Sequence, residues 1–419
     1  MIAFGLTGLV LVGFMLFGNH LLAEGHNKSD EAHYLYFARN LTHGKYAVAA
    51  KQADGYYLWH SPGLPLALAP LVAVHAPIHV LRLVGPVAML LAGIFFWLLL
   101  RRWISPWLAL AGGLALALFP PFLRMLPQLF SEPLALMFLV AALLALAKAY
   151  ESRTWPWAAA SGVLGGLMVL TRLDQGWILL AGLVLTAIVA VRRRRRTDVL
   201  NLICVAVAML VCMPWLIYTA SLAHKFPYWT ASGGESLYWM ASTTPRSDGS
   251  WESPERALSD PRFAADRPLF ARLAPLPQVK RDSELTSAAL TLIRRHPGVY
   301  LRHVVDNGGR MILDIPYSFT ATGKGFLLYG VFDVALLLAV VAAIVVLRRR
   351  PPPRIPPLLG FMIVFAVLNL VLHVLVAAYP RMTTLSIPAA LALVAVGLDQ
   401  ALRERAGRRP AARAMPAPA

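Results

Sequence analysis

Ten long apolar stretches, separated by short segments that collect arginine, constrain this chain more than any other feature. They run over 2–22, 83–100, 107–122, 134–149, 157–173, 176–191, 199–219, 326–347, 357–378 and 384–402. A helix crosses the hydrocarbon of a bilayer with about 20 apolar residues, roughly 17–25 being usual. Only a helix or a closed barrel satisfies its own peptide groups there. Of the 419 residues, 58% are hydrophobic and 14% charged, against about 25% charged in a soluble domain. A soluble enzyme, a disordered chain and a polar-surfaced solenoid are excluded. The sequence predicts an all-α polytopic membrane protein, a bundle of about ten transmembrane helices.

Net charge is +18, from 39 Lys and Arg against 21 Asp and Glu. The excess reads as topology, because Lys and Arg gather at the cytoplasmic ends of spans. The arginines stand in short runs between apolar stretches, which is no pattern for a nucleic-acid face. A further apolar stretch, 63–76, is too short to cross and holds Pro65 and Pro70. Suppose it lies in the outer interface and the N-terminus is inside. Then Arg101, Arg102, Lys148, Arg153, the run Arg192 to Arg196, Arg348 to Arg350, Arg354 and the tail from Arg403 all face the cytoplasm. Short outer loops keep only Arg124, Arg172 and Arg381. If 63–76 crossed, the five-arginine run would face outside, against the bias. The first stretch has no basic residue ahead of it and no small-residue cleavage site, so it reads as a retained helix.

This parity divides the chain into three parts. An N-terminal transmembrane catalytic module covers 1–220, with a first outer loop at 23–82 that carries interfacial helices. A small extracytoplasmic loop domain follows over 221–324, with helical patterning around 285–311. C-terminal transmembrane helices and a basic cytoplasmic tail complete 325–419. The cytoplasmic loops are too short for a nucleotide-binding domain, so ATP-driven transport has no seat in this chain. Cys204 and Cys212 share one apolar stretch at helical spacing and form neither a disulfide framework nor a metal site.

Candidate chemistry gathers on the outer side. In Ser29-Asp30-Glu31-Ala32-His33-Tyr34, Ser29 or Asp30 can cap a short amphipathic helix lying on the membrane, which Gly44 ends. Capping and compensation of the helix dipole alone would explain Asp30 and Glu31. Glu132 stands where the third span ends and the fourth begins, a depth at which ionisable groups are costly and usually paired or functional. Arg172 and Asp174 stand at the outer end of the fifth span, where they can neutralise each other. Arg381 precedes the last span and can serve as an interfacial anchor. Asn369 and His373, four apart, read first as interhelical hydrogen-bonding groups. Acids and a few bases on one face of an apolar bundle suit a lipid-borne substrate with an anionic headgroup.

These residues resemble the C-type (GT-C) membrane glycosyltransferases, in particular the bacterial lipid A aminoarabinose transferases and the protein O-mannosyltransferases. The likeness lies in Asp30-Glu31 after the first span and in Tyr57-Leu58-Trp59-His60-Ser61-Pro62-Gly63-Leu64-Pro65. It continues through Glu132, Gly166-Leu167-Met168-Val169-Leu170-Thr171-Arg172 and Ile293-Arg294-Arg295-His296-Pro297-Gly298, and ends at Tyr379-Pro380-Arg381. The resemblance implies transfer of one sugar from a polyprenyl-phosphate carrier to a lipid, glycan or protein acceptor at the outer face of the bacterial cytoplasmic membrane. It makes Asp30 the base with Glu31 beside it, and places the second acidic position at Glu132, where relatives often have Asp. A Lys of the aminoarabinose transferases corresponds to His60, and Arg172 to a basic position that is often Lys.

The expected reaction is a single, inverting displacement. Polyprenyl phosphate is a good anionic leaving group, so the paired carboxylates of a glycosidase are not required. The predicted catalytic residues are Asp30, Glu31 and Glu132; His60, Arg172, Asp174 and Arg381 bind substrate. No cofactor is required, and a divalent metal held through carboxylate oxygens is not favoured. The rival from another class is a transporter or flippase of a lipid-linked sugar, for which paired half-repeats with broken helices are the signature. No such repeat stands out.

Overall fold

The computed structural model describes residues 2–21, 28–46, 58–245, 247–313, 315, 330–348 and 356–407. Tyr57, the start of the stretch 326–347, Arg349, Arg350, Arg354 and the tail beyond residue 407 lie outside them. Among the described residues there are helices and no strands.

The first part runs through α1 (Ile2–Leu21), α2 (Lys28–Leu41), α3 (Gly63–Ala73), α4 (Ile78–Arg82) and α5 (Val84–Leu100). Then come α6 (Pro106–Ala117), α7 (Pro120–Leu123), α8 (Glu132–Ser152), α9 (Trp155–Thr171), α10 (Gly176–Arg193) and α11 (Arg196–Ala223). The middle region holds α12 (Gly233–Ala241), α13 (Pro254–Ser259), α14 (Arg267–Leu273), α15 (Gln278–Arg295) and α16 (Pro297–Leu313). The chain closes with α17 (Val331–Arg348), α18 (Pro357–Val376) and α19 (Ile387–Gly407).

Among the described residues each of the ten stretches expected to cross overlaps helix, 107–122 being divided between α6 and α7. Seven helical segments among the described residues are long and apolar enough to cross a membrane by length and composition: Ile78–Leu100, Pro106–Leu123, Glu132–Ser152, Leu173–Arg193, Arg196–Ala223, Val331–Arg348 and Pro357–Val376. Ile2–Gly18 and Trp155–Thr171 are apolar but shorter, and α19 turns polar after Leu398. A continuous apolar core joins α5, α6, α8, α9, α11, α18 and α19. Small residues set the closest approaches. A Cβ on Gly93 would stand 2.8 Å from the Gly113 carbonyl of α6, and one on Gly166 would stand 2.9 Å from the Ala208 carbonyl of α11. Between membrane helices, where lipid is as apolar as Leu, such close backbone packing drives association.

Two elements position the site. The helix α2 begins at Lys28, earlier than a Ser29 or Asp30 cap requires, so Asp30 and Glu31 lie inside its first turn and Asp30 is not a cap. The helix α3 has 11 residues, about 16 Å of rise, and packs against α2 and the end of α9. Its entry is dictated by Ser61-Pro62-Gly63. The Ser61 hydroxyl donates to the Thr171 carbonyl at 2.6 Å, and a Cβ on Gly63 would lie 2.7 Å from the Thr171 Cα. The start of α3 is therefore pressed onto the residue before Arg172.

The helices α12 to α15 have a core of their own around Tyr238, Trp239, Phe263 and Phe270. The Trp239 and Phe270 rings stack at 5.3 Å, and the Trp239 indole N–H donates to the Glu252 carbonyl at 2.8 Å. Below it, the fully buried Arg310 of α16 donates to the Asp248 carbonyl at 2.7 Å. That bond ties the 242–250 loop to α16.

Candidate active site

Asp30 projects from α2 toward the 3-10 turn Pro380–Thr383, where Arg381 Nη1 donates to its Oδ2 at 2.9 Å. On the other side His60 Nε2 approaches Asp30 Oδ1 at 3.4 Å. His60 is buried between α2 rings: Tyr34 meets it edge-on at 5.2 Å and Phe37 lies 6.0 Å away. The hydroxyl of Tyr46 donates to the His60 carbonyl at 3.2 Å. The resulting position is over-determined.

From Asp30 a row of alternating charges crosses the bundle. Arg381 Nε also reaches Glu132 Oε1, at 3.6 Å. Glu132 opens α8 and is 2% exposed, so an unpaired charge there would carry a heavy desolvation penalty. Arg172 Nη1 meets the same oxygen at 2.7 Å. Arg172 sits where α9 breaks into the single turn Leu173–Gln175, and its Nε lies 3.2 Å from Asp174 Oδ1. Asp174 Oδ2 stands 2.9 Å from His373 Nε2 on α18 and accepts from Gln175 Nε2 at 2.8 Å. Gln175 in turn donates to Asn369 Oδ1 at 2.8 Å. His60, Asp30, Arg381, Glu132, Arg172, Asp174 and His373 thus form one connected row.

All seven line a cavity of about 800 Å³, within the roughly 300–1,000 Å³ of small-molecule sites. Burial by itself would raise the Asp30 carboxyl, but the Arg381 guanidinium and then the His60 hydrogen bond outweigh it and hold the group well below the usual carboxylate range. Burial opposes the charge of Arg381 too, yet Glu132 and Asp30 push its basicity above the ordinary arginine value. The guanidinium also lies over the Phe130 ring at 5.3 Å. The site pairs carboxylates with guanidiniums and imidazoles along one cavity wall, open to a polar ligand.

Six of the seven residues singled out in sequence therefore meet. Glu31 does not line the cavity. Its two oxygens accept from Arg82 Nε and Nη2 at 3.0 and 2.7 Å, and one also accepts the Leu129 N–H at 2.9 Å. Glu31 fastens α2 to α4 and to the segment before α8, because successive helical residues do not face the same way. Sequence reasoning left His373, Asn369 and Gln175 out of the site and counted Arg124 only as a loop charge, although Arg124 and His373 line the cavity. The four-residue spacing of Asn369 and His373 was the available signal. Trp59, Trp251 and Tyr379 also line it. Trp59 and Tyr379 belong to the motifs that carry the family resemblance, and the turn-rich stretch Ser247-Asp248-Gly249-Ser250-Trp251 reads in sequence either as loop packing or as a surface for sugar stacking. Among the described residues no group of three or more His, Cys, Asp or Glu side chains is arranged to hold a metal ion.

The chain has the helical membrane fold of the C-type glycosyltransferases. Residues 60–218 match the family described as dolichyl-phosphate-mannose-protein mannosyltransferase. The match contains His60, Glu132, Arg172 and Asp174 and stops short of Arg381. Among solved structures the chain resembles the archaeal oligosaccharyltransferase AglB from Archaeoglobus fulgidus in complex with an inhibitory peptide and a dolichol-phosphate. There the TM-score is 0.54 at 15% identity, covering 100% of this chain and 52% of that one. A second structure, the Archaeoglobus fulgidus oligosaccharyltransferase tethered with an acceptor peptide containing the NVT sequon via a disulfide bond, gives 0.52 at 15% identity over 96% and 49%. The chain thus spans about half the length of these structures. Comparison with curated proteins found no match.

Proposed function

We propose that this protein is a glycosyltransferase that moves a single hexose or pentose from a polyprenyl-phosphate carrier to a lipid, glycan or protein acceptor. The reaction takes place at the outer face of the bacterial cytoplasmic membrane. The observation that carries this reading is Asp30: a carboxylate held ionised on the wall of a large cavity, with two arginines in the same row. The dolichol-phosphate in the AglB complex and the description of the family matched by 60–218 support a lipid-phosphate donor.

In this mechanism the acceptor oxygen attacks the anomeric carbon from the face opposite the phosphate. The new C–O bond forms as the bond to the phosphate oxygen breaks, the proton of the acceptor passes to Asp30, and polyprenyl phosphate leaves as the anion. One displacement inverts the anomeric centre. Arg381, Arg172 and His60 meet the phosphate, and preorganised donors of this kind stabilise charge where it develops. Glu132 and Asp174 orient the two guanidiniums. The incoming phosphate competes with Asp30 for Arg381, so donor binding loosens the pair that depresses Asp30 and makes it a stronger base.

The test is direct. Purified protein in detergent, given polyprenyl-phosphate sugars and an acceptor, is expected to release free polyprenyl phosphate and to form an inverted glycoside. A protein that moves the carrier only in sealed vesicles and releases nothing in detergent is a transporter, and that result overturns the reading.

A further inference from the structure

The cavity has a second wall whose chemistry differs from that of the charged row. The segment 228–237, which runs into the first turn of α12, together with Trp251 and residues of α15 supply it. Of the lining residues contributed by 221–324, Asp282 alone carries a charge. Both its oxygens are engaged, Oδ1 by the Gly234 N–H at 2.7 Å and Oδ2 by the Tyr228 hydroxyl at 3.0 Å. The wall otherwise presents Thr230, Ser232, Ser236 and Thr286 together with the half-buried indoles of Trp59 and Trp251; Trp229 also lines the cavity but is 1% exposed. The Trp59 and Trp251 indoles meet at 5.8 Å with their planes 67° apart.

That pair is pinned at the seam between the walls. Trp59 immediately precedes His60, and its carbonyl accepts from the Thr230 hydroxyl at 3.1 Å. The Trp251 backbone N–H donates to the hydroxyl of Tyr379 at 3.2 Å, two residues before Arg381. A group resting on the indoles therefore lies beside the Asp30–Arg381 pair.

We propose that this wall binds an uncharged sugar ring, an inference that rests on the transferase reading for its role in turnover but not for binding itself. An indole offers an apolar face with a negative quadrupole, which suits the C–H face of a sugar. The Thr230 and Thr286 hydroxyls beside it already donate to the Leu58 and Asp282 carbonyls, so they accept from sugar hydroxyls, and such directional hydrogen bonds fix orientation. The wall has no cation to neutralise a carboxylate or phosphate, and burying an anion without a partner is costly. Anionic and neutral parts of the substrates are thus sorted between the two walls. The sugar is either the one transferred or part of a glycan acceptor.

Methyl glycosides of neutral hexoses and pentoses, and of hexuronic acids, serve as probes of the full-length protein in a sugar-free detergent, by saturation-transfer NMR. Neutral glycosides are expected to bind, and Trp251→Ala and Trp59→Ala to weaken them roughly tenfold. Trp251→Phe, which keeps a ring, is expected to retain most of the affinity and guards against a folding defect. Absence of binding, equal binding by the alanine variants, or preference for the uronic acids overturns the proposal. In transfer assays the same variants locate the source: a raised KM for acceptor assigns the site to a glycan acceptor, and a raised KM for donor assigns it to the transferred sugar. Binding of neutral glycosides by a protein that transfers nothing would overturn the transferase reading and leave the sugar site standing.

Discussion

Neighbouring residues on a helix point about 100° apart, so Asp30 and Glu31 meet different surroundings on the first turn of α2. Asp30 faces Arg381 and the cavity, whereas Glu31 faces Arg82 and the Leu129 N–H. Replacing Asp30 by Asn keeps the shape of the side chain but removes the proton acceptor. Single-turnover transfer with donor already bound is expected to fall by about 10²–10⁴-fold, with no rescue by added divalent ion; near-normal turnover would move the base to Glu132. Glu31→Gln is expected to do the reverse, lowering thermal stability by about 1–3 kcal/mol, as for hydrogen bonds to charged groups, while the chemical step stays close to wild type. The depressed Asp30 carboxyl also carries a pH signature. Its native value lies below the unfolded one of about 3.9, so its stabilisation is complete above that pH and is lost as pH falls toward the native value. The stability gap between wild type and Asp30→Asn, measured as Tm in detergent, is expected to be constant near neutrality and to close below about pH 4.

The short helix α3 illustrates how an element too small to span acquires a fixed place. Its apolar residues Leu64 and Leu68 are buried against α2 and its neighbours, while the Ser61 hydroxyl and the bare Cα of Gly63 hold its start to Thr171. Gly63→Val would drive a branched side chain into the Thr171 backbone. The variant is expected to lose thermal stability and turnover together, because the shift passes directly to Arg172. Ser61→Ala, which gives up one hydrogen bond, is expected to cost about 1 kcal/mol. About 16 Å of helix does not cross a hydrocarbon core of about 30 Å. Single cysteines at the exposed positions His43 and His79, which flank α3, should both react with an impermeant reagent from the outer side. Labelling from opposite sides would mean that 63–76 crosses.

At the scale of the whole molecule, the charged row draws one or more residues from each of five separate places in the chain: α2, the segment before α3, the start of α8, the break after α9, and the α18 to Pro380–Thr383 region. None of these forms a site alone. The row works only if all five places open on the same side of the bundle, which the arginine parity requires. Reporters fused after Arg196 are expected to be cytoplasmic and a tag near Asp248 to be outside; a cytoplasmic signal at Asp248 would invert the assignment and put the cavity on the wrong face for a carrier presented outside.

Much of this was legible without coordinates. Hydrophobic runs marked where the apolar helices fall, seven of which among the described residues are long and apolar enough to cross a membrane, because a bilayer imposes their length and leaves few alternatives for the backbone. Glu132 stood out because an ionisable group at such depth is expensive and needs a reason. Asp30 as the base and Arg172 as the basic position came instead from the family resemblance, the residues alone explaining Asp30 as a helix cap and Arg381 as an interfacial anchor. The short loop around Arg172 and Asp174 even located one ion pair. Partner choice was a different matter. That Arg381 belongs to Asp30, 351 positions earlier, that Glu31 turns away to Arg82, and that His373 closes the row on Asp174 depend on helix rotation and on how closely small residues let helices approach. Those are properties of three-dimensional packing with no local sequence periodicity to announce them. The sequence by itself determined a helical membrane bundle and the residues able to act in it; the tertiary structure alone decided which acid faces the cavity, because side-chain direction is settled by the neighbours a helix packs against.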